Sequence, residues 1–242
     1  MAAEPVEIGR TVRSIVVEAL VLLGYDPPGP DFPGRIETFA ATLALWGSKL
    51  NLTSAPDDPG EIAFHIIDSL APLILAHLAE GAASTAEAVL AGAFAPGVRV
   101  LDLGSGAGFP ALILAAVCAG GVTPAFTLLE ARRKRSSFLV VAAAGMGLAN
   151  VRVDSSRSDP MTLEPIFDIV TARAFAEPAI VYRTAAAALK PGGHAILYAS
   201  PAQRSAIELV SGADFEPVAF FEYEVPRGGA SITHLLAVSK RR

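Results

Sequence analysis

The stretch Val98–Pro110, VRVLDLGSGAGFP, constrains the fold of this chain more than any other part of it. An apolar run ending in Asp102-Leu103 passes into Gly104-Ser105-Gly106-Ala107-Gly108 and then into an apolar segment of helical character. That order reads as strand, tight turn, helix. Glycine at alternate positions lets the backbone turn sharply and lets a ligand approach it closely. The helix start beyond presents unpaired N–H groups and the positive end of a dipole, which suit a carboxylate or phosphate. Asp102, at the strand's end, can accept hydrogen bonds from a ligand's amine or hydroxyl. Two cofactor classes use such a turn. Gly106–Ala111 fits the G-x-G-x-x-G/A spacing of a dinucleotide site, and Asp102–Gly108 fits the D-x-G-x-G-x-G of an S-adenosylmethionine site. Both use an acid at the end of the next strand for ribose hydroxyls, and Glu130 closes Thr127-Leu128-Leu129. The glycine spacing leaves both classes open.

The rest of the chain supplies the context. Residues 1–80 read as a helical extension: apolar residues recur at helical spacing over Val6–Leu23, Asp31–Leu50 and Glu61–Leu78, the last with a kink expected at Pro72. Residues 81–97, rich in Ala and Gly, read as a connector. From Val98 to the end, candidate strands at 98–103, 125–129, 150–154, 167–171 and 193–199 alternate with helical segments around 109–118, 131–146 and 176–189. This predicts an α/β fold with a doubly wound, mostly parallel sheet that binds ligands at the carboxyl ends of its strands. After a helix near 202–211, Pro217–Val225 and Ser231–Ser239 form two β-rich runs able to pair as an antiparallel hairpin. A terminal hairpin favours the class I methyltransferase version of the fold over the dinucleotide one.

Composition excludes several alternatives. Cys118 is the single cysteine. That rules out an intramolecular disulfide or a cysteine metal cluster and suits a reducing cytoplasm. The opening MAAEPVEIGR has no basic segment followed by an apolar run, so it is not read as a secretory signal. Ala107–Leu129 carries no charge and is long enough to cross a bilayer, but Gly120-Gly121 and Pro124 break it. It reads as buried helix, turn and buried strand, with no membrane partner. The formal net charge of −5 gives no global attraction to nucleic acid, so any RNA contact needs a local basic patch.

Three further motifs carry a family resemblance: Trp46-Gly-Ser-Lys-Leu-Asn51-Leu-Thr53-Ser with His65-Ile-Ile-Asp68-Ser-Leu; Leu129-Glu130-Ala-Arg-Arg-Lys134-Arg135; and Ser156-Arg157-Ser158-Asp159 with Ala172-Arg173-Ala174 and Lys190-Pro-Gly-Gly193. In this order, with G-S-G-A-G-F-P among them, they resemble the glucose-inhibited division protein B family. Its members are bacterial methyltransferases that modify guanine N7 in 16S ribosomal RNA. The resemblance implies S-adenosylmethionine as cofactor and 16S RNA or the small ribosomal subunit as partner. It also implies Gly104 and Phe109 in the cofactor loop, Ser158 and Asp159 beside the adenine, Arg173 at the boundary of cofactor and substrate, and Lys134 and Arg157 toward RNA. The chain departs from the family pattern in three places. Tyr198-Ala199-Ser200 stands where Lys-Gly is usual, Thr233 beside His234 where Arg is usual, and Ala111 where Gly is usual.

The residues themselves support parts of this reading. Arg132-Arg133-Lys134-Arg135 opens a helix, where positive charge opposes the dipole, and a cluster kept there points to phosphate. With Arg157 and Arg173, Lys134 and Arg135 make a candidate RNA edge. Structural ion pairs of Arg157 and Arg173 with Asp102, Glu130 or Asp168 are the plain alternative. His65 and Asp68 lie three apart on one helix face. They either brace the helical region against the cleft or touch substrate, and their spacing does not point to a metal. Phe109 is the aromatic best placed to stack on a base, whereas Trp46 and Phe64 read as core. Guanine N7 is an unprotonated lone pair at neutral pH, so its methylation needs positioning and no general base. No catalytic acid or base is assigned. A nicotinamide-dependent oxidoreductase would need a hydride-handling residue that the sequence does not offer. A degenerate relative that binds cofactor or partner without methylating RNA draws its support from the missing basic residues.

Overall fold

A computed structural model describes residues 4–26, 31–79, 85–119, 123–157, 160–212 and 214–242. Ser158 and Asp159, the Pro-Pro-Gly-Pro break at 27–30, the Gly120-Gly121 break and part of the connector lie outside them. Nine α-helices among the described residues surround a seven-stranded sheet of order β3-β2-β1-β4-β5-β7-β6. Strands β1 (Arg99–Leu103), β2 (Ala125–Leu129), β3 (Val151–Asp154), β4 (Phe167–Arg173) and β5 (Leu189–Ala199) run parallel. The antiparallel hairpin of β6 (Ala219–Arg227) and β7 (Ala230–Lys240) is added beyond β5 through β7. It turns through Gly228 and Gly229, both at positive φ, as a two-residue hairpin requires. The doubly wound expectation and the terminal hairpin are both met. Strand order reverses between β1 and β4, and such a switch point opens a crevice at the strands' carboxyl ends.

Two apolar layers hold the sheet. On one face α1 (Pro5–Leu22), α2 (Phe32–Leu50), α3 (Pro59–Ser69), α4 (Ala71–Leu78), α5 (Thr85–Gly92), α6 (Ala111–Cys118) and α7 (Arg133–Gly145) share a continuous core with Val100, Phe126, Ile169, Ile196 and Leu236. On the other face α8 (Pro178–Ala188) and α9 (Arg204–Ser211) pack on Leu101, Leu103, Val170 and Leu197. Every residue of α6 from Ala111 to Val117 is buried, which explains its uniformly apolar sequence. Among the described residues no single helix is long and apolar enough to cross a membrane.

Among the boundaries that differ from expectation, three change the architecture most. The third predicted helix divides into α3 and α4, bent by 54° at Leu70, and Pro72 sits in the first turn of α4 rather than at the kink. A proline there loses no hydrogen bond that the helix could have made, so the break falls before it. The connector contains α5. Strand β5 starts four residues early, at Leu189, with a register irregularity between Phe167 and Ile169.

Helix α3 does most to shape the cleft. Asp58 caps it, accepting from the N–H groups of Gly60 and Glu61 at 2.8 and 3.2 Å. It lies across the carboxyl ends of the strands. The hairpin holds it there: Arg227 makes two 2.6 Å hydrogen bonds to Glu61 and stacks 4.9 Å from the Phe64 ring centroid.

Candidate active site

Two sites meet at the switch point. The first is the glycine turn after β1. Asp102 is 1% exposed, beside Thr171 of β4, whose hydroxyl donates to Oδ1 at 2.6 Å. Its other oxygen, Oδ2, is buried with no hydrogen-bond partner. Burial dominates its chemistry and pushes its pKa up to about 7, against hydrogen bonds and the Arg173 charge that pull it down. An orphaned carboxylate oxygen at such a place is a standing demand for a donor. Glu130, also buried, immediately follows β2, the neighbouring strand. Its oxygens accept from the N–H groups of Gly106 at 3.1 Å and Arg132 at 2.8 Å, so it ties the glycine loop to the start of α7.

The glycines play different parts. All three of Gly104, Gly106 and Gly108 have positive φ. A Cβ on Gly104 would lie 2.5 Å from the Phe175 ring, and one on Gly108 would lie 2.6 Å from Leu112. A Cβ on Gly106 would meet nothing nearer than 3.6 Å. Internal packing therefore crowds a side chain at the outer two, whereas a Cβ at Gly106 would make only ordinary contacts, with the Gly104 carbonyl and the Arg135 guanidinium. Phe109 is buried. Its ring sits between Phe39 and His65, with centroid separations of 5.3 and 5.2 Å. This corrects the expectation of base stacking: the ring is core, and the Arg173 guanidinium rests 5.7 Å from its centroid.

The second site centres on Arg173 at the end of β4. The plain alternative for this residue is an ion pair with Asp102, Glu130 or Asp168. The structure instead pairs Arg173 with Asp68 of α3, Nη1 to Oδ2 at 3.2 Å, both largely buried. Asp168 is taken by Lys190 at 2.7 Å. Nη2 of Arg173 lies 2.5 Å from Nδ1 of His65. Burial and the Arg173 charge push the His65 pKa down to about 4. The ring is therefore neutral at pH 7 and accepts from the guanidinium. Asp68 Oδ1 accepts from Tyr223 Oη at 2.7 Å and from His234 Nδ1 at 2.6 Å. These hydrogen bonds and the Arg173 charge keep its pKa below the usual carboxylate value despite burial. Of the two roles expected for His65 and Asp68, these partners match bracing, with Arg173 as the group braced.

The basic cluster is spread along an edge. Arg132, Arg133 and Lys134 are exposed at the start of α7, and Arg157 is exposed after β3. Arg135 turns inward, donating to the Asn51 carbonyl at 3.0 Å, with Nη1 3.8 Å from where a Gly106 Cβ would stand. It joins the end of α2 to the glycine loop. Trp46 and Phe64 pack in the core as expected.

A family model described as rRNA small subunit methyltransferase G, GidB, matches residues 34–228. The chain belongs to that family. A ribosomal RNA small subunit methyltransferase G from Neisseria gonorrhoeae (strain NCCP11945) is 37% identical over 175 residues, 71% of this chain and 74% of the relative. Another, from Streptococcus thermophilus (strain CNRZ 1066), is 28% identical over 224 residues, 89% and 86% of the two chains. Among solved structures, TrmN from Thermus thermophilus superposes with a TM-score of 0.50 at 21% identity, covering 75% of this chain and 53% of that one. That likeness bears on fold alone. Family membership sets aside the nicotinamide oxidoreductase that the glycine spacing left open.

The last strand presents a different residue to the cleft from the one expected. Thr233 is the expected replacement for the usual basic residue there. Strand alternation turns Thr233 to the opposite face, where it donates to Glu224 at 2.6 Å, and turns His234 toward Asp68. His234 is thus the residue at the cleft, together with Tyr198, whose hydroxyl donates to the Ser69 carbonyl at 2.8 Å. The roles of Tyr198, Tyr223, Thr171 and His234 are not legible locally. The signal available is period-two alternation along β4, β5 and β7, which sets Thr171, Arg173, Tyr198 and His234 on the face that carries Asp102.

Proposed function

We propose that this chain transfers a methyl group from S-adenosylmethionine to N7 of a guanine in 16S ribosomal RNA. One observation carries the cofactor half: the buried, unpartnered Oδ2 of Asp102 stands beside a glycine loop in which Gly106 alone would admit a Cβ without a clash, with Glu130 closing the next strand. Asp102 would accept from the cofactor's ammonium, Glu130 would face its ribose hydroxyls, and Ser158 and Asp159 would border its adenine. When bound, the cofactor supplies a methyl group already activated on a sulfonium. The protein's work is then to hold an unprotonated N7 in line with it, which needs no general base. The Nδ1 of His65 is engaged by the Arg173 guanidinium, so that nitrogen is occupied in holding Arg173.

The substrate half rests on the family and on the exposed edge of Lys134, Arg132, Arg133 and Arg157. Phosphate contacts from this edge position the RNA, and contacts within the cleft select the base. With a net charge of −5, the local edge must supply the affinity. A ribosomal substrate places this work in the cytoplasm. Calorimetry with S-adenosylmethionine, its demethylated product and NAD tests the cofactor half. Binding of the first two but not of NAD is expected, and NAD binding alone would overturn it. A chain that binds S-adenosylmethionine yet leaves both naked 16S RNA and small subunits unmethylated is the degenerate relative.

A further inference from the structure

The amino-acid end of S-adenosylmethionine carries an ammonium and a carboxylate. Asp102 can answer the first. For the second, the expected place is the glycine turn and the helix start beyond it, through their free N–H groups. The structure has already used most of them. The N–H groups of Gly104 and Ser105 go to the Leu129 carbonyl at 2.8 and 3.2 Å, that of Gly108 to the Ser105 carbonyl at 2.7 Å, and that of Gly106 to Glu130 at 3.1 Å. Pro110, at the cap of α6, has no N–H to offer. A carboxylate at this turn therefore needs a cation from elsewhere. Arg173 is close enough to act on the Asp102 charge, but Asp68 already neutralises it.

Arg135 is a second guanidinium at the turn. It reaches inward from the first turn of α7, whereas Arg132, Arg133 and Lys134 beside it are exposed. Its Nη2 donates to the Asn51 carbonyl at 3.0 Å, and its Nη1 lies 3.8 Å from where a Gly106 Cβ would stand. Asn51 ends α2 in the left-handed region, at φ 49°, which asparagine tolerates better than most residues. Among the described residues no carboxylate pairs with Arg135. A guanidinium held at a ligand loop by a neutral carbonyl keeps its full charge and several N–H groups for an anion. Two residues beyond Asn51, the Thr53 hydroxyl is buried without a hydrogen-bond partner, a second polar group in that turn left for a ligand. We infer that Arg135 binds the carboxylate at the cofactor's amino-acid end, and that the Asn51 turn holds the guanidinium in place for it. The inference rests on S-adenosylmethionine as the cofactor. It moves Arg135 from the candidate RNA edge into the cofactor site, and it gives the Asn51-Leu-Thr53 motif a part in cofactor binding.

Two measurements test this. Calorimetry compares S-adenosylmethionine with decarboxylated S-adenosylmethionine, which keeps the sulfonium and the ammonium. Wild type is expected to prefer the carboxylated form by about 10- to 100-fold. Arg135→Gln is expected to erase that preference while holding the decarboxylated form within about threefold of wild type, and Arg135→Lys to recover part of it. Equal losses for both ligands would mean that Arg135 only supports the loop, and would overturn the inference. An unchanged preference in Arg135→Gln with a reduced salt slope for RNA would return the residue to the RNA edge, and would overturn it too. The second measurement needs no variant. Phenylglyoxal modification of the wild-type chain is followed at Arg135 by peptide mass mapping, with each ligand at about ten times its own Kd. S-adenosylmethionine is expected to slow it about tenfold, and the decarboxylated form less than about twofold. Equal rates with the two ligands would refute the carboxylate contact even if the variants did not fold. A wild-type chain that binds neither ligand would strike the cofactor reading itself, and this inference with it.

Discussion

Asp102→Asn separates stability from function at a single atom. The Asp102 carboxyl is fully buried, with one oxygen bonded to Thr171 and the other unpartnered, and burial raises its pKa from 3.8 to about 7. A carboxyl whose folded pKa lies above its unfolded value holds its proton longer in the native state. Stability therefore falls as pH rises from about 4 to about 7, and the loss is complete above the folded pKa. A shift of about 3 units corresponds to ~4 kcal/mol at pH 8. Asparagine keeps the shape and an acceptor for Thr171 and cannot ionise. Its amide donors enter the same orphaned space, which takes back ~1–3 kcal/mol. The variant is expected to be ~1–3 kcal/mol more stable than wild type at pH 8. For a chain of this length that is a rise of roughly 2–12 °C in Tm. The advantage should shrink by ~2–3 kcal/mol at pH 5, where wild-type Asp102 is protonated in the folded state. His65 titrates in the opposite sense over the acid range, so only the difference between variant and wild type is informative. Thermal melts at pH 5, 6, 7 and 8 measure it. A difference in Tm that does not grow with pH would refute the assignment of a raised pKa to Asp102. The same substitution should weaken S-adenosylmethionine binding at least tenfold, since the carboxylate for its ammonium is gone.

The same carboxyl predicts that affinity for S-adenosylmethionine falls about tenfold per pH unit below 7, while the rate at saturating cofactor shows no acidic limb between pH 6 and 8. A steep limb in the saturated rate that disappears in His65→Asn would contradict catalysis without a base. Gly104→Ala should destabilise the fold, by ~1–3 kcal/mol on denaturant titration, because its methyl meets Phe175. Gly106→Ala should cost less stability and weaken cofactor binding more, and the reverse ranking would contradict this division of roles between the two glycines. Lys134→Ala or Arg157→Ala should weaken RNA binding and reduce its salt slope by ~1 for each phosphate no longer neutralised, with cofactor affinity unchanged. An unaltered salt slope in both would remove the basic edge from the RNA site.

Much of the fold is legible because its signals are local. The glycine turn, the alternation of strands and helices after Val98 and the hairpin each declare themselves within a short stretch of chain. The features that escape are those settled at long range. Pro72 marks a bend but not its place, because the backbone break belongs to the junction at Leu70 where α3 leaves the cleft. Asp102 and Glu130 are legible from spacing, since the turn sets where they stand. The partner of Arg173 is not: nothing in A-R-A says that α3, far earlier in the chain, brings Asp68 against it. Nor does the hairpin's sequence say that Tyr223 and His234 reach the same carboxylate, although alternation along β7 separates His234 from Thr233. Phe109 looks available because it sits inside a ligand loop, but its ring is the plug that joins α2 and α3 to the loop.

The proposed activity is tested most directly by locating the methyl group. Small ribosomal subunits and naked 16S RNA, both lacking the modification, are incubated with the purified chain and radiolabelled S-adenosylmethionine. The product is then mapped by borohydride reduction and aniline cleavage, which breaks the strand at 7-methylguanine. Stoichiometric label and a single cleavage at one guanine are expected, both lost in Arg173→Gln. Label that resists cleavage, or no label on either substrate from a chain that binds the cofactor, would contradict guanine-N7 methylation by this protein.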